Sequence, residues 1–146
     1  METLKMKKLR PDAVIPKRAT AGSAGLDLAA CMDAPVTIAP GDLAMIPTGL
    51  AVAIPENTVG LIFSRSGLGV KHGITLSNSV GVIDSDYRGE LRIGVCNVGS
   101  EPYEIAPGER IAQLVVTPIL TLPVEETCDL GETTRGEGGF GSTGKT

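Results

Sequence analysis

The stretch with the most reactive side chains in this sequence is Asn78–Glu90. Asp84 and Asp86 follow the apolar run Val80–Ile83, and Tyr87 comes directly after them. A carboxylate can accept a proton from an attacking water molecule, and an aromatic ring can stack on a flat ligand. A second apolar run begins immediately afterwards, and two such runs joined by a short acidic, glycine-bearing segment predict a β-hairpin. The turn of that hairpin carries more chemistry than a turn requires.

Other stretches supply groups that could hold an anion. In Ser64–Gly67, the guanidinium of Arg65 can fork onto phosphate oxygens while Ser66 adds a hydroxyl donor. The alternative is a capped strand-to-helix turn with a solvated arginine. Asp27 and Gln113 each interrupt an apolar strand run. Each is either a satisfied edge position or a functional group, and Asp27 in particular could face a cation.

The glycine-rich C-terminal stretch contains Gly139–Thr146, which satisfies the P-loop pattern GxxxxGK[ST]. A working P-loop needs a helix after the pattern to aim N–H groups at phosphate, and with the sequence ending there we expect neither the helix nor a P-loop. The composition still suits phosphate, although a disordered terminus is the alternative. Phe140 weakens that alternative because a disordered tail has little use for one aromatic. The side-chain donors of this stretch are Arg135, Ser142, Thr143 and Lys145.

Composition narrows the class of protein. The chain has 146 residues, is 42% hydrophobic and carries a formal net charge of −4, which predicts one globular domain and argues against binding to long nucleic acid. Cys31, Cys96 and Cys128 form no CxxC pair, so neither a disulfide framework nor a zinc site is predicted. His72 is the only histidine, and we assign it no role. No leader or membrane-spanning stretch is apparent, so we expect a cytoplasmic protein without a membrane partner.

Short β-type runs separated by glycine and proline predict an all-β sandwich or barrel. One or two helical turns are expected after Ser66, with Ser66 as the cap. We expect a single domain over residues 1–130 and a flexible arm over residues 131–146. The predicted strand runs outside the hairpin are Ala13–Ile15, Leu26–Leu28, Val36–Ile38, Leu43–Ile46, Leu50–Ile54, Val59–Phe63, Ile74–Leu76, Tyr103–Ile105 and Ile111–Val116.

Five stretches, taken in order, resemble the five motifs of the trimeric dUTP pyrophosphatase (dUTPase) family. They are Ala24–Leu28, Arg65–Gly67, Gly81–Gly89, Gly108–Gln113 and Arg135–Gly144. The resemblance implies a jelly-roll-like all-β subunit and a homotrimer with active sites at its interfaces, each covered by a C-terminal arm. It also implies hydrolysis of dUTP to dUMP and pyrophosphate with Mg²⁺ on the triphosphate. That reaction keeps uracil out of DNA and supplies dUMP for thymidylate synthesis.

The same resemblance implies a role for each matching residue. Asp84 would activate the attacking water, and Tyr87 would pack under the deoxyribose and exclude a 2′-OH. Asp27 would reach Mg²⁺ through water, and Phe140 would cover the uracil. The uracil would be bound by Asn78, Val82 and Ile83 with Arg92 nearby, and the phosphates by Arg65, Ser66, Gly67, Gln113, Arg135, Ser142 and Thr143.

Leu26 and Ser64 depart from the residues that are common in the family, and neither departure affects an assigned role.

Two alternative functions remain open beside the dUTPase prediction. A dCTP deaminase of the same fold would need a catalytic glutamate at the position of Gly94. A noncatalytic nucleotide-binding trimer would have no reason to keep Asp84, Gln113 and Phe140 together.

Overall fold

The computed structural model describes residues 3–140, and within them it contains ten β-strands and one short helix. The all-β prediction is therefore confirmed. The strands are β1 (Lys5–Lys8), β2 (Leu26–Ala29), β3 (Val36–Ile38), β4 (Leu43–Ala53), β5 (Thr58–Ser64), β6 (Ile74–Leu76), β7 (Gly81–Ile83), β8 (Glu90–Asn97), β9 (Tyr103–Ile105) and β10 (Arg110–Pro118), and the helix is α1 (Ser66–His72).

Two antiparallel four-stranded sheets enclose one aliphatic core. Their strand orders are β1-β4-β8-β6 and β2-β10-β5-β7, and β3 and β9 form a separate two-stranded ribbon. Strand β8 shows how the pattern works, because Leu91, Ile93 and Val95 point into the core while Arg92 on the opposite face is exposed. Each buried aliphatic side chain of this kind contributes about 1.5–3 kcal/mol. With few aromatic residues, the core depends on many such small contributions.

Two strand predictions need correction. No strand forms over Ala13–Ile15, although Ala13 itself is buried. Prolines at positions 11 and 16 flank this run and cannot donate ladder hydrogen bonds. In contrast, the runs predicted at Leu43–Ile46 and Leu50–Ile54 belong, except for Ile54, to a single long strand, β4, which continues through an irregularity between them. Strand β1 was not predicted, because three of its four residues are lysines and give no apolar run. It lies at the edge of its sheet, where lysine is common.

The short helix is confirmed, but its predicted cap is wrong. Ser66 is the first residue of α1 and Arg65 occupies the N-cap position, where no side chain caps the helix. The cause is the extended backbone of Arg65, with φ −93° and ψ 134°, which continues the direction of β5 by one residue beyond Ser64.

The chain leaves the sheets at Pro118, the last residue of β10. Between residues 120 and 140 several apolar side chains are strongly exposed, and they are Leu120, Leu122, Val124, Leu130 and Phe140. These side chains lie on a segment without strand or helix, outside the core between the two sheets. Within residues 3–140 there is no helix long and apolar enough to cross a membrane.

Candidate active site

The two arms of the predicted hairpin do not pair with each other. Strand β7 is the edge of one sheet and pairs with β5, whereas β8 lies inside the other sheet between β4 and β6. The pairing of β6 with β8 ends where Leu76 lies opposite Val95, so residues 91–93 of β8 have a strand neighbour on one side only. The hairpin prediction was therefore wrong in its pairing, and the two arms separate to leave a space between the sheets.

That space is a cavity of about 130 Å³. It is lined by residues 81–83 of β7, residues 91–94 of β8, and the side chains of Ile62, Leu76 and Asn78. A cavity of about 150 Å³ admits benzene, so this one suits a single six-membered ring. An edge strand also leaves alternate N–H and C=O groups without strand partners, and these can bond to the polar edge of a heterocycle. The cavity is thus suited to a small, flat base.

A tight turn brings Asn78 to this cavity. Ser79 has a positive φ of 64°, and the N–H of Val80 donates to the carbonyl oxygen of Asn78 at 2.7 Å. The turn reverses the chain from β6 into β7 and therefore from one sheet to the other. Gly81 follows, and a Cβ there would lie 3.0 Å from the Cβ of Ile62. Close approach of β7 to β5 thus favours glycine at this position.

Asp84 and Tyr87 border a second cavity of about 240 Å³. The two cavities adjoin, because Val82, Ile83, Leu91 and Arg92 line both. The carboxylate-bearing Asp84 is exposed to solvent at the end of β7. A ring bound in the first cavity would therefore carry its substituents past Asp84 and Tyr87.

Tyr87 is held at its backbone and at its hydroxyl. The backbone N–H of Tyr87 donates to the carbonyl oxygen of Asp84 at 3.2 Å, and its hydroxyl donates to the carbonyl oxygen of Glu90 at 3.0 Å. The ring lies directly on Gly89, where a Cβ would stand 2.4 Å from the tyrosine Oη. Glycine at this position therefore allows Tyr87 to form a fixed wall of the second cavity.

A separate polar cluster lies across strands β2, β10 and β5. Gln113 of β10 is opposite Asp27 on one side and Phe63 on the other. Arg65 donates from Nε to Oδ1 of Asp27 at 3.1 Å, and Arg110 donates from its guanidinium to Oδ2 of Asp27 at 2.9 Å. Both alternatives foreseen for Asp27 therefore apply, since it lies on an edge strand and faces cations. Two guanidinium groups around one carboxylate leave a net positive charge suited to an anion.

The amide of Gln113 is also fixed in place. Its Nε2 donates to the carbonyl oxygen of Ser64 at 3.0 Å, while its Oε1 would lie 2.4 Å from a Cβ at Gly25. The glycine therefore makes room for the glutamine side chain. Ser66 and Gly67 continue from this point into α1 and are both exposed. Four of the predicted phosphate-binding residues, namely Arg65, Ser66, Gly67 and Gln113, lie close together along β5, β10 and the start of α1.

Arg110 is a member of this cluster that we did not single out from the sequence. It lies within the motif Gly108–Gln113, but the spacing of residues in the sequence did not indicate that it would pair with Asp27. The available signal was the carboxylate itself, because an acid inside an apolar strand run needs a cation.

The neighbouring Glu109 is engaged elsewhere, accepting hydrogen bonds from the hydroxyl of Tyr103 and the N–H of Ala106. Burial, followed by the hydrogen bond to Glu109, raises the pKa of Tyr103 to about 12.

Within one chain Asp84 lies far from the cationic cluster. Ile83 at the end of β7 lies opposite Gly60 on β5, and Arg65 is five residues further along the same direction. At about 3.3 Å per residue this separates the two ends by roughly 16 Å. Asp84, which follows Ile83, thus lies far along β5 from the cationic cluster.

The described part of the C-terminal stretch, residues 131–140, does not reach either half. Nε of Arg135 donates to the carbonyl oxygen of Gly138 at 2.8 Å, which is a local turn contact. Phe140 is fully exposed with a positive φ of 49°. Ser142 and Thr143 lie outside the described residues. Neither Arg135 nor Phe140 is among the residues that line the two cavities.

Asp27 is the residue to test for a fit to a metal ion. Among residues 3–140, no three side chains of His, Cys, Asp or Glu come together as a metal cage. Both oxygens of Asp27 accept hydrogen bonds from arginines, but an ionised carboxylate offers about four acceptor positions. Mg²⁺ commonly keeps several waters and is bound through one or two carboxylates and the phosphates of a substrate. A water-mediated contact from Asp27 fits that chemistry.

Comparisons with known proteins agree on one family. The model of the dUTPase family matches residues 11–144. The deoxyuridine 5′-triphosphate nucleotidohydrolases of Burkholderia mallei (strain SAVP1) and Burkholderia multivorans are 52% and 50% identical over 143 residues, which is 97% of this chain and 97% of each relative.

Solved structures give the same result. The dUTPase of Staphylococcus bacteriophage 80alpha with dUPNHPP has a TM-score of 0.91 and 33% identity, covering 99% of both chains. The dUTPase from phage phi11 of S. aureus has a TM-score of 0.83 and 28% identity, covering 90% of this chain and 100% of that chain. The similarity thus extends over both halves of the candidate site.

Proposed function

The chain belongs to the dUTPase family, and we propose that it hydrolyses dUTP to dUMP and pyrophosphate by attack of an Asp84-activated water on the α-phosphorus. The observation that carries this proposal is the ring-sized cavity between β7 and β8, which adjoins a second cavity bordered by Asp84 and Tyr87. In the cytoplasm this reaction would keep uracil out of DNA and supply dUMP for thymidylate synthesis.

In this proposal the first cavity binds uracil. The backbone of Val82 and Ile83 pairs with the polar edge of the base, and the amide of Asn78 completes the set of hydrogen-bonding groups. Arg92 borders both cavities from the exposed face of β8, so it would act at the rim of the base site. The small volume of the cavity favours a pyrimidine over a purine.

The second cavity would hold the sugar and the attacking water. Tyr87 packs under the deoxyribose, and its fixed ring leaves no room for a 2′-OH, the group that distinguishes ribonucleotides. Asp84 is solvent-exposed beside it and can accept a proton from water as the water attacks. A general base of this kind contributes about 10²–10⁴ to the rate.

The cationic cluster would bind the triphosphate. Arg65, Ser66, Gly67 and Gln113 supply donors, and we add Arg110 because it shares Asp27 with Arg65. Mg²⁺ on the triphosphate would neutralise charge there, and Asp27 would contact it through water. The arginines would clamp the same phosphates and thus fix the position of the α-phosphorus.

The separation of the two halves supports a site made from more than one subunit. Because roughly 16 Å divides Ile83 from Arg65 along β5, one chain does not bring Asp84 and the phosphate cluster together. We propose a homotrimer in which each active site takes its halves from different subunits, as closed symmetry allows. Each trimer would then contain three identical sites.

The C-terminal arm, residues 131–146 after the domain of residues 1–130, would close the site. Its Phe140 would cover the uracil, while Arg135, Ser142 and Thr143 would bind the outer phosphates. The exposure of the apolar side chains after Pro118 supports an arm that docks on a neighbouring subunit. A closing arm excludes bulk water and completes the set of phosphate donors.

Ending the chain at Leu130 is expected to leave a folded trimer whose kcat for dUTP is lower by about a hundredfold, because phosphate donors and the cover over the base are lost. The sheets end at Pro118 and should be unaffected. Size-exclusion chromatography and pyrophosphate release measure the two effects. A chain ending at Gly144 keeps all the proposed arm contacts and is the control, with activity near that of the parent. Unchanged kcat in the shorter protein would show that the arm has no catalytic role.

The proposed function itself is tested by offering dUTP, dCTP, dTTP and UTP in turn with Mg²⁺. We expect pyrophosphate from dUTP in strong preference to the other three, and no ammonia from dCTP. Ammonia would instead indicate a deaminase, although Gly94 stands where a deaminase needs its glutamate. No product from any nucleotide would leave only the noncatalytic nucleotide-binding trimer.

A further inference from the structure

The residue that closes the turn after Tyr87 is anchored in an unusual way. Glu90 is the first residue of β8 and lies opposite Ala51 on β4. The next pair in register is Arg92 with Pro47, so the single residue Leu91 faces three residues of β4. Those three residues, 48–50, form a bulge in which the regular ladder is interrupted.

On the side toward β8, side chains rather than the ladder satisfy the polar groups of this bulge. The hydroxyl of the fully buried Thr48 donates to the carbonyl oxygen of Leu91 at 2.7 Å. The N–H of Gly49 donates to Oε1 of Glu90 at 2.9 Å, and its carbonyl oxygen accepts from the N–H of Leu9 at 2.8 Å. The bulge is therefore tied to the beginning of β8 through two side chains.

The conformation of the bulge is restricted further by Gly49. Its φ is +65°, and a Cβ at this position would lie 2.8 Å from Sγ of Cys31 and 2.9 Å from Cβ of Ala13. Glycine is the residue that tolerates both the dihedral angle and the close contact. The N–H that Glu90 binds thus belongs to a backbone with little freedom to move.

Glu90 connects this rigid bulge to Tyr87, whose ring forms a wall of the second cavity. Its carboxylate holds Gly49, while its own backbone carbonyl accepts the hydroxyl hydrogen bond of Tyr87. Although Glu90 lines the second cavity, its Oε1 is already engaged. We propose that Glu90 is a positioning residue that fixes Tyr87, and with it the discrimination between deoxyribose and ribose, by anchoring the turn to the β4 bulge. This inference rests on the proposed function.

The test compares kcat/KM for dUTP with kcat/KM for UTP in the parent and in Glu90→Ala. We expect the dUTP-to-UTP ratio to fall about fivefold to tenfold, the effect of losing one hydrogen bond of ordinary strength. Glu90→Gln keeps a carbonyl oxygen for Gly49 and should restore most of the ratio. A role confined to stability would change the fraction of folded enzyme, which lowers both activities equally and leaves the ratio unchanged.

Two further variants keep the test decisive. Glu104→Ala removes an exposed glutamate of β9 and should leave the ratio at the parent value. Tyr87→Phe removes the hydroxyl that bonds to the carbonyl oxygen of Glu90. Because the Tyr87 side chain is exposed, this variant should fold, and its dUTP-to-UTP ratio can be measured even when Glu90→Ala does not fold. An unchanged ratio in Tyr87→Phe, or in a folded Glu90→Ala protein, overturns the inference. Failure of the parent to prefer dUTP over UTP would instead overturn the proposed function.

Discussion

Replacing Asp84 by asparagine is expected to lower kcat for dUTP by about a hundredfold to ten-thousandfold, the range that a general base contributes. The asparagine side chain has nearly the same shape, so the second cavity, which Asp84 borders, and the adjoining first cavity should still bind the nucleotide. It cannot accept a proton from water as a carboxylate does. Single-turnover kinetics measure the chemical step, and equilibrium binding of dUTP to the variant measures the part that should remain.

The turn contains its own control for this experiment. Asp86 is a second exposed carboxylate two residues further on, and it does not line either cavity. Asp86→Asn changes the net charge by the same amount in the same turn, and we expect its kcat to stay within about twofold of the parent. Near-normal turnover in Asp84→Asn, or equal losses in the two variants, would show that Asp84 is not the base.

Local patterns in the sequence were enough to locate most of the strands and the groups with reactive side chains. Asp27 is the clearest case, because an acid inside an apolar run must either reach water or meet a cation, and it does both. The same local reasoning predicted a short helix after Ser66, which is one residue later than the start of α1. The helix could be predicted because it depends on residues adjacent in sequence. The environment of Asp27 could be predicted because a carboxylate has few suitable partners.

Long-range pairing was not predictable in this way. Adjacent runs joined by a short turn suggested a hairpin, but β7 pairs with β5 and leaves β8 to the opposite sheet. That choice depends on register with a strand some twenty residues earlier, which no property of the turn encodes. The β4 bulge is a similar case, since Gly49 looks like any other glycine until Glu90 is brought next to it. The features that shape the site most strongly were therefore the least visible in the sequence.

Trimers made from two inactive variants give the sharpest test of a site shared between subunits. Arg65→Ala removes one phosphate clamp, and Arg110 still pairs with Asp27, so this variant should fold. We expect it to be nearly inactive, as Asp84→Asn is. When a site takes Asp84 from one subunit and Arg65 from another, a trimer that contains both variants has both residues intact in about one of its three sites. Co-expression with two different tags and purification through both provides the mixed trimers for pyrophosphate assays.

A site contained within one subunit predicts the opposite result, because every chain in the mixture carries one of the two lesions. The mixed trimers would then be no more active than the separate variants, and the shared-site proposal would fail. A second pair, Asp84→Asn with Asn78→Ala, is the matched control. Both residues border the cavities between β7 and β8 of the same chain. No exchange of subunits can reunite an intact Asp84 with an intact Asn78, so this pair should be no more active than its separate variants, while the first pair recovers.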